Sequence, residues 1–134
     1  MQDQPTVRKL LKGIYEFLET AVVPALHEPL RFHTRVAANL LRILQREIEA
    51  EPRLIAEERR RLRELLGKKG GAQGRETVVE EVRQLNEELC ALIREGRADQ
   101  GSWRDDVIEH VRLTLVDKLK VADPSMIERA QTIY

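Results

Sequence analysis

Residues 30–50 read Leu-Arg-Phe-His-Thr-Arg-Val-Ala-Ala-Asn-Leu-Leu-Arg-Ile-Leu-Gln-Arg-Glu-Ile-Glu-Ala. Placed at about 100° per residue, Phe32, Val36, Ala37, Leu40, Leu41, Ile43, Leu44 and Ile48 gather on one arc. That is the pattern of an amphipathic helix that covers a core. Pro29 stands at its first turn, where a missing N–H costs nothing. No alternation of period two appears here or elsewhere in the chain, so the expected fold is all-α.

Toward the N-terminus, Thr6–Val23 carries a second such pattern, with Val7, Leu10, Leu11, Ile14, Tyr15, Phe17, Leu18, Ala21 and Val22 on one face. Pro24 is expected to end it. Toward the C-terminus, Pro52 predicts a break and a restart. From Arg53 to Leu66, Leu54, Ile55, Leu62, Leu65 and Leu66 take one side and Arg59, Arg60, Arg61 and Arg63 the other, which reads as solvated; Gly67 reads as a stop. Residues 67–75, rich in glycine, are expected to form a flexible loop.

A fourth helix is expected over Glu76–Glu95, with Thr77 and Glu80 at capping-box spacing and Gly96 closing it. Its inward residues are Val78, Val79, Val82, Leu85, Leu89, Cys90, Leu92 and Ile93. Ser102 is expected to cap a fifth helix, with Asp105 three residues on and a buried strip of Val107, Ile108, Val111, Leu115, Leu119 and Ala122. Asp123-Pro124 ends that helix and offers a cap for a short one in the tail 123–134. The expectation is a single helical domain over 1–134, a bundle of about five helices, largely antiparallel.

Composition narrows the function classes. The 134 residues carry 23 basic and 23 acidic side chains, so there is no general field for polyanions. One cysteine gives neither a disulfide framework nor a Cys-based zinc site. No apolar run approaches about 18 residues and the N-terminus lacks a signal-peptide core, so the expected location is the cytoplasm, with no membrane association.

Polar residues on apolar faces are the informative exceptions. His33 and Glu47 fall inside the arc of residues 30–50 and Asn39 at its edge. Asn86 lies mid-face between Val79, Val82 and Ile93; Lys118 lies mid-face between Val107, Val111 and Leu115, with Arg104 near. A buried charge must be paired and a buried polar group hydrogen-bonded. The expectation is an interior cluster in which Glu47 neutralises Lys118 or Arg104, while His33, Asn39 and Asn86 satisfy one another or the backbone. With Arg35, these residues (His33, Arg35, Asn39, Glu47, Asn86 and Lys118) are the candidate polar site.

No catalytic motif emerges. Ser102 lacks the second glycine of a nucleophile elbow. Cys90 reads as inert core packing. Gly67-Lys68-Lys69-Gly70-Gly71 lacks the Gly-Lys-Ser/Thr ending of a phosphate loop. Asp106 and His110 share one helical turn, which reads as a surface pair and not a metal site; no metal or cofactor is expected. The basic patch over 59–75 has no interleaved aromatics, which makes nucleic-acid binding the weakest reading. Trp103 is a candidate interface residue, since Trp is enriched at interfaces as well as in cores.

Three stretches are familiar as an ordered set: Leu30-Arg31-Phe32-His33-Thr34-Arg35-Val36-Ala37-Ala38-Asn39, Leu85 to Gly96, and His110 to Leu119. In that order and spacing they resemble a family of small bacterial proteins catalogued only as a domain of unknown function. The resemblance extends over nearly the whole chain and includes His33, Asn39, Asn86, Cys90 and Lys118. Members tend to end the last helix with Ile-Asp-Asn-Pro, where this chain has Val121-Ala122-Asp123-Pro124. The resemblance implies no activity. It implies a gene neighbourhood with phosphotransferases resembling aminoglycoside kinases and with acyl-CoA dehydrogenases, and hence an accessory role beside such an enzyme. The leading expectation is an interaction protein partnering a phosphotransferase-like kinase or an acyl-CoA dehydrogenase. The alternative is a ligand-binding or catalytic pocket around His33, Arg35, Asn39 and Lys118. Five helices leave several faces to cover, which makes a homo-oligomer a further expectation.

Overall fold

The computed structural model describes residues 4–69 and 75–133, and among them every regular element is helical. The elements are α1 (Val7–Phe17), a π-helical turn (Leu18–Val22), α2 (Val23–Ala25), α3 (Leu30–Leu65), α4 (Arg75–Arg94), α5 (Ser102–Ala122) and α6 (Pro124–Ile133). The expected all-α class holds. The expected flexible loop lies, over residues 70–74, outside the described residues. Contacts gather in two compact units, Met1–Ala50 and Glu51–Tyr134.

In the first unit α1 is capped by Thr6, whose side chain accepts from the Lys9 N–H. The helix does not stop at Pro24. The Val23 N–H donates to the Leu18 carbonyl five residues back, and this wider turn admits Pro24 into the first turn of α2. The extended backbone of Leu26 then ends the run. The residues 30–50 half of α3 lies antiparallel to α1: Arg8 pairs with Glu49 at 3.0 Å, and the Arg42 guanidinium stacks over the Tyr15 ring at 5.1 Å. Ala38 is fully covered, its small side chain allowing close approach.

Pro52 does not break α3, which runs unbroken over 36 residues. A proline inside a helix costs about 3 kcal/mol, because it removes one hydrogen bond and crowds the preceding turn. Good helix formers on both sides outweigh that here, and the unit boundary falls two residues before it.

The second unit has a clear centre. Leu62 from α3, Val82, Leu85 and Leu89 from α4, and Val107 from α5 form a buried cluster, with Ile55, Leu65, Leu66, Ala98 and Trp103 packed against it. Gly67 and Gly96 end α3 and α4 as the sequence predicts. Each has a positive φ, and around each the two hydrogen bonds of a Schellman turn form: Lys68 N–H to Arg63 and Gly67 N–H to Glu64, then Arg97 N–H to Leu92 and Gly96 N–H to Ile93.

Two caps differ from expectation. Helix α4 begins at Arg75, which puts Thr77 inside its first turn. Helix α5 is capped by Gly101 at φ 87°, a conformation that Ser102 would adopt only with strain, so Ser102 is the first helical residue. Asp123 behaves as expected: its carboxylate accepts from the Ser125 N–H at 3.2 Å and the Ser125 hydroxyl at 2.6 Å at the start of α6.

Candidate functional site

The buried line of α5 is not the one the wheel selects. Val107, His110, Asp117 and Val121 are buried, while Ile108, Val111 and Leu115 are exposed. Helix α5 has apolar residues around much of its circumference, so periodicity alone does not pick a face. The face that turns inward carries two polar residues, His110 and Asp117. Asp117 accepts from Arg61 at 3.1 Å and from Lys120 at 3.0 Å. Burial pushes its carboxyl up, but the hydrogen bonds from Lys120 and Arg61 outweigh that and hold it below the usual range. His110 is 5% exposed. Burial and the neighbouring Arg61 charge both push its pKa down, against a weaker pull from Glu58, so it is held neutral. Its Nδ1 makes no hydrogen bond with the protein.

The arginine run of α3 is drawn into the same layer. Glu81 bridges Arg63 at 2.6 Å and Arg59 at 2.8 Å, and Arg61 reaches Asp117 and Thr114. Arg60 alone of the four pairs at the surface, with Glu64. Lys68 pairs with Glu88. The face read as solvated is therefore an ion-pair layer between helices, and the basic patch is largely engaged with carboxylates.

Two of the open clefts that border this layer are lined by residues of α5. One, of about 610 Å³, is lined by Arg60, Arg61, Trp103, Asp106, Glu109 and His110 among others. Asp106 and His110 thus share a cleft wall, with His110 buried, which corrects the expectation of a surface pair. The other, of about 530 Å³, is lined by Glu58, Asn86, Cys90, Thr114 and Lys118 among others. Here two of the six predicted polar residues come together. Asn86 is half-buried and donates to Glu58 at 2.9 Å and to the Val82 carbonyl at 3.1 Å. Lys118 is exposed. Cys90 is also exposed, not core packing, because α4 turns Leu89 inward and leaves its neighbour outside. Both clefts offer mixed donors and acceptors. Among the described residues, no group of three or more His, Cys, Asp or Glu could hold a metal ion.

The other four predicted residues lie elsewhere. His33, Arg35, Asn39 and Glu47 belong to the first unit, and all four are exposed. Arg104 is exposed too. The expected interior cluster is corrected accordingly: these side chains keep their solvation, which costs less than burying an ion pair. Trp103 is not a free interface residue. It packs on the core cluster, its indole N–H donates to the Leu65 carbonyl at 3.1 Å, and Arg97 stacks over it at 5.3 Å. It thereby satisfies one of the carbonyls that the end of α3 leaves open.

The apolar faces are the larger surprise. On α3, Phe32, Val36, Leu40, Leu44 and Ile48 are each 43–58% exposed, although the sequence places them in a buried arc. On α5, Ile108, Val111 and Leu115 are each 51–57% exposed. The stripe turns away from the covered side of α3: Ala38 is fully buried, and at 3.6 residues per turn Ala38 and Leu40 point about 160° apart.

Fold and surfaces together define an all-helical protein with apolar helix faces and two shallow polar clefts. The chain belongs to the family described as a domain of unknown function, DUF6285, whose model matches residues 24–126. No curated protein and no solved structure matches it. Among the described residues, no helix is long and apolar enough to cross a membrane.

Proposed function

We propose that this chain is an accessory interaction protein that docks a larger enzyme through exposed apolar helix faces. The observation that carries this reading is the stripe of Ile108, Val111 and Leu115 on α5, three large side chains on one face, each more than half exposed. Single exposed apolar residues are ordinary, but an ordered stripe marks an interaction surface. Val111 and Leu115 lie within the His110–Leu119 stretch that carries the family resemblance. The partner this reading names is a phosphotransferase-like kinase, with an acyl-CoA dehydrogenase second, both from the gene neighbourhood that the resemblance implies; both partners and a cytoplasmic setting remain part of the proposal.

The pocket alternative has less support, since His33, Arg35 and Asn39 lie exposed in the first unit and Lys118 in the second. Nucleic-acid binding has less still, since Arg59, Arg61 and Arg63 already hold carboxylates. The test is co-purification of the tagged chain with the kinase. Co-elution at fixed stoichiometry, weakened at least about tenfold by Val111→Glu, is the expected result. Separate elution at every salt concentration and protein concentration sinks the reading.

A further inference from the structure

The α3 stripe in the first unit carries more than apolar area. Two polar residues interrupt it, His33 and Glu47, and they stand seven residues on either side of Leu40. Spaced by sevens, His33, Leu40 and Glu47 hold nearly the same angular position on a helix, the position that forms a seam between paired helices. All three are exposed. Val36 and Leu44 stand four residues on either side of Leu40, and Phe32 and Ile48 eight. The stripe is thus symmetric about Leu40 in its apolar residues, with an imidazole on one side and a carboxylate on the other.

We infer that this face pairs with the same face of a second copy, antiparallel, with a two-fold axis at Leu40. That arrangement sets each His33 against Glu47 of the other copy, Val36 against Leu44, and Leu40 against itself. A two-fold contact must be self-complementary, and this sequence is. The parallel alternative sets Glu47 on Glu47, and two facing carboxylates at a contact are disfavoured, whereas the antiparallel pair lets each imidazole meet a carboxylate. The helix dipoles also favour the antiparallel pair.

The area fits. The five stripe residues expose roughly 450 Å² of apolar surface, near the apolar share of the ~800 Å² that each partner gives to a standard interface. It also falls within the range for the largest patch on a typical monomer, about 300–600 Å², a patch that is often functional. The inference goes beyond the proposed enzyme docking and uses a different face.

The test is sedimentation equilibrium of the full chain and three variants, with circular dichroism as a check on folding. The wild-type chain should be a reversible dimer. Leu40→Arg, which brings two cations together at the axis, should weaken it at least about a hundredfold. H33E should weaken it about tenfold by facing two carboxylates, and the doubly exchanged H33E/E47K should recover to within about threefold of wild type. These side chains are exposed within one chain, so the variants should keep their helicity.

Three results would overturn the inference: a single-chain mass at about 100 μM, where even a modest pair associates; a dimer indifferent to Leu40→Arg; or no recovery in H33E/E47K. A chain that sediments as a monomer yet co-elutes with the kinase overturns this inference and leaves the proposed function intact. A dimer that never captures the kinase does the reverse.

Discussion

Helix α3 is one element with two opposite histories of burial. Its 30–50 half is the more apolar, yet Phe32, Val36, Leu40, Leu44 and Ile48 stand largely in solvent. Its 51–65 half bristles with arginines, yet Leu62 is fully covered and Arg59, Arg61 and Arg63 are mostly enclosed by carboxylates from α4 and α5. Composition alone would assign the two halves the other way round. Burial depends on what the rest of the chain brings to a face. Two long helices meet the second half, whereas α1 packs with the first.

The sharpest way to break this contrast is to truncate each half. Leu62→Ala removes a large side chain that is entirely buried and should cost about 3–4 kcal/mol in chemical denaturation. Leu30→Ala, at 61% exposure and outside the Leu40-centred stripe, should cost less than about 1 kcal/mol. Equal losses would mean that the apolar half is covered in solution by something this chain does not itself supply.

A smaller effect separates two neighbouring arginines. Arg61 and Asp117 are 12% and 13% exposed, and Arg61→Ala leaves a buried carboxylate with only Lys120; about 2 kcal/mol should be lost. Arg60 and Glu64 are each 63% exposed, and Arg60→Ala should cost under about 0.5 kcal/mol. A double-mutant cycle on Arg61 and Asp117 measures the coupling directly.

The smallest expected effect is a pH dependence confined to the second unit. The fold lowers the His110 pKa, so the unfolded chain takes up that proton more readily. Stability is therefore full above the ordinary histidine pKa of about 6.5 and falls as pH drops from there through the lowered folded value. Asp117 adds a second loss below about pH 4, where its depressed carboxyl finally protonates in the fold. Denaturation midpoints at pH 7.5 and 5.5, measured for the wild type and His110→Asn, check the first step. The drop should shrink in the variant.

How much of this was legible beforehand varies with the kind of signal. Helix content, the stops at Gly67 and Gly96, and the cap at Asp123 follow from local chemistry, and local chemistry is what a sequence states most directly. The continuity of α3 through Pro52 was not legible, because a proline's cost is fixed while the support on either side depends on the whole helix. The six candidate polar residues do not form one cluster. Asn86 and Lys118 do share a cleft, but His110 and Asp117 were missed. Their signal was present: Val107, His110, Asp117 and Val121 repeat at helical spacing, and Arg59, Arg61 and Arg63 supply the opposing charges. A wheel scored by hydropathy passes over such a line, because it treats a carboxylate with two partners like one with none.

Trp103 gives the molecule a built-in optical probe. It is the only tryptophan in the chain, and it sits against the second unit's core with its indole bonded to the end of α3. Its emission therefore follows the second unit alone, whereas far-ultraviolet dichroism weighs all helices together. If the two traces melt at the same denaturant concentration, the chain unfolds in one step and α3 transmits cooperativity through Pro52. If dichroism is lost first, the N-terminal hairpin comes apart while the tryptophan still reports an intact core.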